Sequence, residues 1–215
     1  MIHHHPSTQT LLAHAAGTLR PGHKLVVDTH LHVCSTCQQT KWRLESLGGV
    51  LLEDLPPDSL APDAFARALA ALDETSAPPC PSVSSAGHQP GWSSAEKLPR
   101  TLWGTEIGRW LWIGPGIRYS RVRLPWAPKE NVMLLRVAAN RPVIAHSHGG
   151  LELTQILRGS YIDATGHYQV GDMAEEDNES NHQPRAGTQG CLCVAALEGG
   201  LRLPWLSRLI GRSAA

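Results

Sequence analysis

The sequence predicts a two-domain chain, in which a small helical domain at residues 1–74 precedes an all-β domain at residues 100–215. Residues 7–73 place apolar side chains at helical spacing. The segments after residue 100 are short, partly alternating and separated by Gly, Pro and Asn turns, which is typical of a β-sandwich or barrel. Residues 75–99 are dense in Pro, Ser and Gly, so we expect a flexible linker between the two domains.

Four helices are expected before the linker. A Ser7 or Thr8 cap marks the start of the first helix, and Pro62 suits the first turn of the fourth. "RPGH" at 20–23 is interpreted as a break between the first two helices. The four helical segments are "STQTLLAHAAGTL", "KLVVDTHLHVC", "CQQTKWRLESLGGVLLEDL" and "DSLAPDAFARALAALDE".

Composition narrows the class of function. The formal net charge is zero, without the basic surface expected of a nucleic-acid-binding protein, so we expect a protein partner. No apolar run approaches the roughly 20 residues of a membrane helix, and no membrane association is expected. The five cysteines follow no secretory signal, which predicts a cytoplasmic chain with reduced thiols. Twelve histidines favour metal binding.

The helical region has the spacing of a zinc site. His30 and Cys34 are four residues apart, which predicts one shared face of the second helix, and Cys37 completes a C-x2-C pair. A fourth ligand is needed for a tetrahedral site, and His5 is well placed if the first helix packs antiparallel to the second. We therefore expect structural zinc. The alternative is a buried histidine beside two incidental or redox-active cysteines.

The β region contains a second candidate site in "AHSHGGLELTQILRGSY" at 145–161. His146 and His148 are two residues apart and would face one side of a strand, with Glu152 just past a glycine turn. His182 would complete a mononuclear His3–carboxylate site from a later strand. Such a site accepts zinc or another divalent transition metal. The alternative is a set of surface histidines on a loop.

The remaining cysteines allow two interpretations. Cys191 and Cys193 are two apart on a predicted strand and therefore share a face. They are either inert core thiols or a redox-responsive pair near the metal. Cys80 lies in the predicted linker and is interpreted as an incidental exposed thiol.

Both metal patterns resemble those of known families. The H-x-H-x3-E-x6-G run at 146–159 and the G-D…H run at 171–182 resemble the two motifs of the cupin superfamily. With "VVDTHLHVCSTC" and "GCLCVAALEGGLRL", the chain resembles the ChrR family of zinc-binding anti-sigma factors with a C-terminal cupin domain. The resemblance implies that the helical domain holds a group IV (extracytoplasmic-function) sigma factor. It also implies that the cupin domain is sensory and is needed for sigma release during singlet-oxygen or related oxidative stress.

The resemblance also assigns the candidate residues. It implies one zinc site at His5, His30, Cys34 and Cys37, and a cupin metal site at His146, His148, Glu152 and His182. We expect the sigma factor to contact the apolar helix face near Phe65, Leu69 and Leu72, and the signal to pass from the barrel through residues 75–99. Two alternatives are a metal-dependent cupin enzyme of the dioxygenase or isomerase type, and a small-molecule sensor without a sigma partner.

Overall fold

A computed structural model of the chain describes residues 1–73, 98–146, 149–177 and 183–199. The four predicted helices are confirmed, and a 3₁₀ turn at Arg100–Leu102 opens the β region. The helices are α1 (Thr8–Ala15), α2 (Pro21–Leu31), α3 (Ser35–Glu53) and α4 (Ala64–Asp73). Among the described residues, none of the helices combines the length and the apolar character that crossing a membrane requires.

Helix α1 begins as predicted, because the Ser7 hydroxyl accepts a hydrogen bond from the Thr10 N–H at 3.1 Å. Helix α2 begins at Pro21, earlier than predicted, so the segment at 20–23 that we interpreted as a break is the start of this helix. Pro21 occupies the first helical position, where the absent N–H donor leaves no helical hydrogen bond unmade.

The prediction that Cys34 lies on the second helix is wrong. Helix α2 ends at Leu31, and Cys34 has extended backbone angles at the N-cap of α3. Its Sγ accepts the Cys37 N–H at 3.5 Å, so the thiol takes the capping role that Ser or Asp usually has. The spacing of four residues therefore brings Cys34 near His30 through a turn between two helices, not through one helical face.

Within the described residues, eight strands form one antiparallel sheet in the order β1-β3-β4-β8-β5-β6, with β2 paired to β3 and β7 paired to β5. The all-β prediction for this region is confirmed. The strands are β1 (Glu106–Ile107), β2 (Leu111–Gly114), β3 (Ile117–Arg123), β4 (Asn131–Val137), β5 (Glu152–Ile162), β6 (His167–Gln169), β7 (Met173–Glu176) and β8 (Arg185–Leu197).

Gly159 on β5 explains the last position of the first sequence motif. Its φ of +67° lies in the left-handed region, and a Cβ there would come within 1.9 Å of the Gly190 carbonyl oxygen. The pairing of β5 with β8 shifts register on both sides of this residue. The glycine therefore permits the bulge by which the long strand bends.

Helix α2 is the element that joins the helical region to the sheet. It packs against β5 and β8, and Val26 and Val27 are fully buried in a core that includes Leu153 and Val194. Burying each of these side chains contributes about 2 kcal/mol. The two predicted domains thus share a hydrophobic core, while their predicted limits at residues 74 and 100 stay predictions because 74–97 lies outside the described residues.

The start of α2 is held by the sheet region as well. The Glu130 carboxylate, in the loop between β3 and β4, accepts the Gly22 N–H at 3.1 Å and pairs with Arg20 at 3.0 Å. An acidic group at this position also interacts favourably with the helix dipole. A Cβ on Gly22 would meet Glu130 and Val132 at 2.9 Å, so the glycine allows the close approach.

Candidate metal centre and barrel cavity

Four predicted ligands of the helical region come together in the structure. The candidate donor atoms of His5, His30, Cys34 and Cys37 all lie within 4.8 Å of one another. His5 Nδ1 is 3.4 Å from Cys34 Sγ and 3.3 Å from Cys37 Sγ, and His30 Nε2 is 3.3 Å from Cys37 Sγ. Among the described residues, this is the one group of three or more such side chains that could hold a metal ion.

The four ligands come from the ends of three helices. His5 precedes α1, His30 lies in the last turn of α2, Cys34 caps α3 and Cys37 lies in its first turn. Helix α1 packs mainly against α3 and only to a small extent against α2. The predicted packing of α1 on α2 is therefore not the main contact of α1. The cluster therefore sits where three helix ends meet.

The hydrogen bonds of His30 fix which ring nitrogen faces the cluster. His30 is fully buried, and its Nδ1–H donates to the Gly171 carbonyl oxygen at 3.1 Å and to Gln155 Oε1 at 3.0 Å. Because Nδ1 carries the hydrogen, Nε2 has the free lone pair and points toward Cys37. Burial lowers the pKa of His30, which favours the neutral imidazole that binds metal.

The electrostatics of the thiols fit a bound cation. Burial, together with the adjacent Cys34 thiol, raises the pKa of Cys37 to about 12. A divalent ion supplies the positive charge that would let both buried thiols ionise. Zinc prefers tetrahedral sulfur and nitrogen ligands at about 2.3 and 2.0–2.1 Å. The donor set and the spacing of the cluster therefore fit zinc.

The segment that contains His5 is bound to the strands of the β region. The buried Asp172 carboxylate accepts the N–H groups of His3 at 2.7 Å and His4 at 3.1 Å. Glu175 accepts the Ser7 N–H at 2.8 Å and its hydroxyl at 2.9 Å. Burial opposes ionisation of Asp172, but the backbone N–H groups of Gln169, His3 and His4 outweigh burial and lower the pKa of Asp172. Asp172 therefore remains a carboxylate acceptor at neutral pH.

The second candidate site borders a cavity of about 350 Å³ inside the curled sheet. His146 and Glu152 are buried and line it, as the sequence predicts for two of the four ligands. The Thr154 hydroxyl donates to Glu152 Oε1 at 2.8 Å and orients the carboxylate. The other two predicted ligands, His148 and His182, lie outside the described residues, so this site stays a prediction.

The cysteine pair of β8 lines the same cavity. Cys191 and Cys193 are both buried and share a face of the strand, as predicted. The neighbouring Cys191 thiol and burial raise the pKa of Cys193. A thiol with a raised pKa is a poor nucleophile at neutral pH, which favours the interpretation as packing residues. Cys80 lies outside the described residues.

Helix α4 presents the predicted partner face to solvent. Phe65, Leu69 and Leu72 are 76%, 48% and 72% exposed. In the described parts of the chain, α4 makes no extensive contact with another helix or strand. Helix α3 adds large exposed apolar side chains, among them Trp42, Leu47 and Leu51. Apolar surface of this extent is characteristic of an interaction site.

Comparison with known proteins identifies the family. Residues 100–199 match the family model described as the ChrR cupin-like domain. The anti-sigma-E factor ChrR of Cereibacter sphaeroides is 35% identical over 202 residues, which are 94% of this chain and 92% of that protein. The chain belongs to the ChrR family of anti-sigma factors. The predicted cupin fold of the β region is thereby confirmed.

Solved structures place this ChrR family member close to a sigma-bound relative. The crystal structure of Rhodobacter sphaeroides SigE in complex with the anti-sigma ChrR matches with a TM-score of 0.72 and 32% identity, covering 92% of this chain and all of that one. Likeness to cupin enzymes is distant. Oxalate decarboxylase of Bacillus subtilis matches half of this chain, with 15% identity and a TM-score of 0.40.

Proposed function

We propose that this protein is an anti-sigma factor that sequesters a group IV (extracytoplasmic-function) sigma factor and releases it under oxidative stress. The observation that supports the proposal most is the likeness, along almost the whole chain, to an anti-sigma factor solved with its sigma factor. The exposed apolar face of α4 and the exposed apolar side chains of α3 supply a surface for such a partner.

In this proposal zinc has a structural role in the helical region. Bound at His5, His30, Cys34 and Cys37, it would join the segment before α1, the end of α2 and the start of α3. A closed site with four protein ligands is typical of structural zinc. The joined helices would then present α3 and α4 in the arrangement that binds the sigma factor.

The cupin cavity is the proposed sensory site. Its wall combines His146 and Glu152 with Tyr161 and the two thiols of β8. A divalent metal held by His146, His148, Glu152 and His182 would bind and position an oxidant or its product inside the apolar cavity. Release requires that the oxidant shift the equilibrium between bound and free sigma factor by several kcal/mol. Loss of a metal or of local structure can supply a change of this size.

The function can be tested by combining the full chain with candidate extracytoplasmic-function sigma factors from the same genome. The zinc-loaded protein is expected to co-purify with the sigma factor and to inhibit transcription from its target promoter at one-to-one stoichiometry. Illumination with a singlet-oxygen photosensitiser should restore transcription. A folded, zinc-loaded protein that leaves transcription unchanged would contradict the proposal.

The cupin metal gives a separate prediction. Replacing Glu152 with Gln removes a charged ligand and should lower the metal content of the barrel, while the thiolate-containing centre keeps its metal. Elemental analysis of the variant measures the loss, and Glu176→Gln on β7, directly opposite Glu152 in the sheet, is the matched control. Equal metal content in the two variants would count against Glu152 as a ligand. Inhibition of the sigma factor should persist in Glu152→Gln, with a weaker response to the photosensitiser.

A further inference from the structure

We infer that two side chains of the cupin domain, Gln155 and Asp172, act as positioning residues for the metal centre of the helical region. The inference rests on the proposed zinc site and names the side chains that hold two of its ligands in place. All four ligands come from residues 5–37, but the hydrogen bonds that orient two of them come from β5, from β7 and from the turn that precedes β7.

Gln155 acts on His30. It is almost fully buried on β5, and its Oε1 accepts the Nδ1–H of His30 at 3.0 Å. The Gly171 carbonyl, in the turn before β7, accepts the same hydrogen at 3.1 Å. Outer hydrogen bonds of this kind fix the tautomer and the ring orientation of a histidine ligand. The barrel therefore determines which nitrogen of His30 faces the thiols.

Asp172 acts on the segment that contains His5. It accepts the backbone N–H groups of His3 and His4, and the neighbouring Met173 N–H donates to the His4 carbonyl oxygen at 3.1 Å. Glu175 holds the same segment on the other side of His5 through Ser7. His5 itself is exposed, so these contacts, and not burial, limit where its ring can lie.

The same elements also border the barrel cavity. Glu152 and Thr154 on β5 line the cavity, whereas Gln155 faces His30, so one strand separates the two sites. Tyr161 provides a second connection. Tyr161 lines the cavity and stacks on Tyr168, with 4.8 Å between the ring centroids. The Tyr168 and His4 ring centroids are 4.2 Å apart. A displacement of β5 or of these rings reaches the supports of His30 and His5 without passing through residues 74–97.

Substitution of the two positioning residues tests the inference. Full-length Gln155→Leu and Asp172→Asn should bind the thiolate site's metal about 10- to 100-fold more weakly than the natural sequence does. Cobalt is the probe, because sulfur-to-metal charge-transfer absorption reports the thiolate centre and not a site made of histidine and carboxylate. Competition with a chelator gives the affinity, and circular dichroism and thermal melting check that each variant folds.

Matched controls come from the same strand and hairpin. Ser160→Ala removes a hydroxyl farther along β5, and Asp163→Asn changes a carboxylate that accepts hydrogen bonds from Thr165 and Gly166 in its own turn. Both controls should keep the natural cobalt affinity. Should Asp172→Asn fail to fold, Glu175→Gln perturbs the same segment from a half-buried position and should also weaken binding.

The outcomes separate this inference from the proposed function. Folded Gln155 and Asp172 variants with unchanged cobalt affinity would overturn the inference. This result would say nothing against the proposed binding of a sigma factor. A natural chain without thiolate charge-transfer absorption would overturn it together with the zinc assignment. Weaker cobalt binding in the variants of a chain that inhibits no sigma factor would support the positioning role and contradict the proposed function.

Discussion

Replacing Cys37 with Ser is expected to release α1 and α3 while α2 stays in place. The metal centre joins the ends of these three helices, and α1 and α3 bury few other side chains. Helix α2 packs its buried face against β5 and β8 and does not depend on the metal in the same way. Structural zinc contributes roughly 10–16 kcal/mol to small metal-dependent folds, so the loss should exceed the stability of the two helices.

Hydrogen exchange followed by mass spectrometry can measure this difference. In Cys37→Ser, or after chelation of the natural chain, peptides from α1 and α3 should lose protection, whereas those from α2 and β8 should keep it. Cys193→Ser is the matched control, because that thiol is also buried but lies in the barrel wall. Loss of protection in all helices together, or in none of them, would show that the metal does not hold α1 and α3 selectively.

Truncating the apolar face of α4 is expected to abolish sigma binding without unfolding the protein. Phe65, Leu69 and Leu72 recur at helical spacing and are largely exposed, so alanine at these positions removes little folding energy. Truncating a hot-spot residue at the centre of an interface costs about 2 kcal/mol or more, which is about 30-fold in affinity, and we expect Phe65, Leu69 and Leu72 together to include such residues. The triple alanine variant should therefore lose detectable binding.

Calorimetry or surface plasmon resonance with the purified sigma factor measures the effect. Arg67→Ala on the opposite side of α4 is the control and should change affinity little. The melting temperature of the triple variant should match that of the natural chain, because α4 packs on no other described element to any large extent. Full affinity in the triple variant would move the contact surface to another part of the molecule, with the exposed apolar residues of α3 as the next candidates.

The ligands of the metal centre could be predicted because their chemistry is visible in the sequence. His30, Cys34 and Cys37 are residue types that bind zinc, and their close spacing limits how far apart they can lie. Their backbone setting was less predictable. Cys34 caps a helix through its sulfur, a role that propensities assign to Ser, Thr, Asp or Asn, so sequence spacing alone extended α2 by three residues.

The contacts between the two regions were not predicted, since they join residues more than 100 positions apart. Gln155 stands in the strand sequence "LTQIL", where a buried amide among apolar residues indicates a specific partner, but nothing local names His30 as that partner. Asp172 belongs to the second cupin motif, and its contact with the N-terminal segment appears only in the fold. The expected route through residues 75–99 therefore overlooked a direct interface.

The shared core of α2 bears on how such proteins can evolve. Helix α2 buries its apolar side against the neighbouring barrel, so the helical region cannot be exchanged between paralogues as an independent domain. A chimera that joins this helical segment to a foreign cupin would leave Val26 and Val27 facing a mismatched surface. We therefore expect the helical region and the cupin domain to be inherited together. Changes in α2 should be accompanied by compensating changes on β5 and β8.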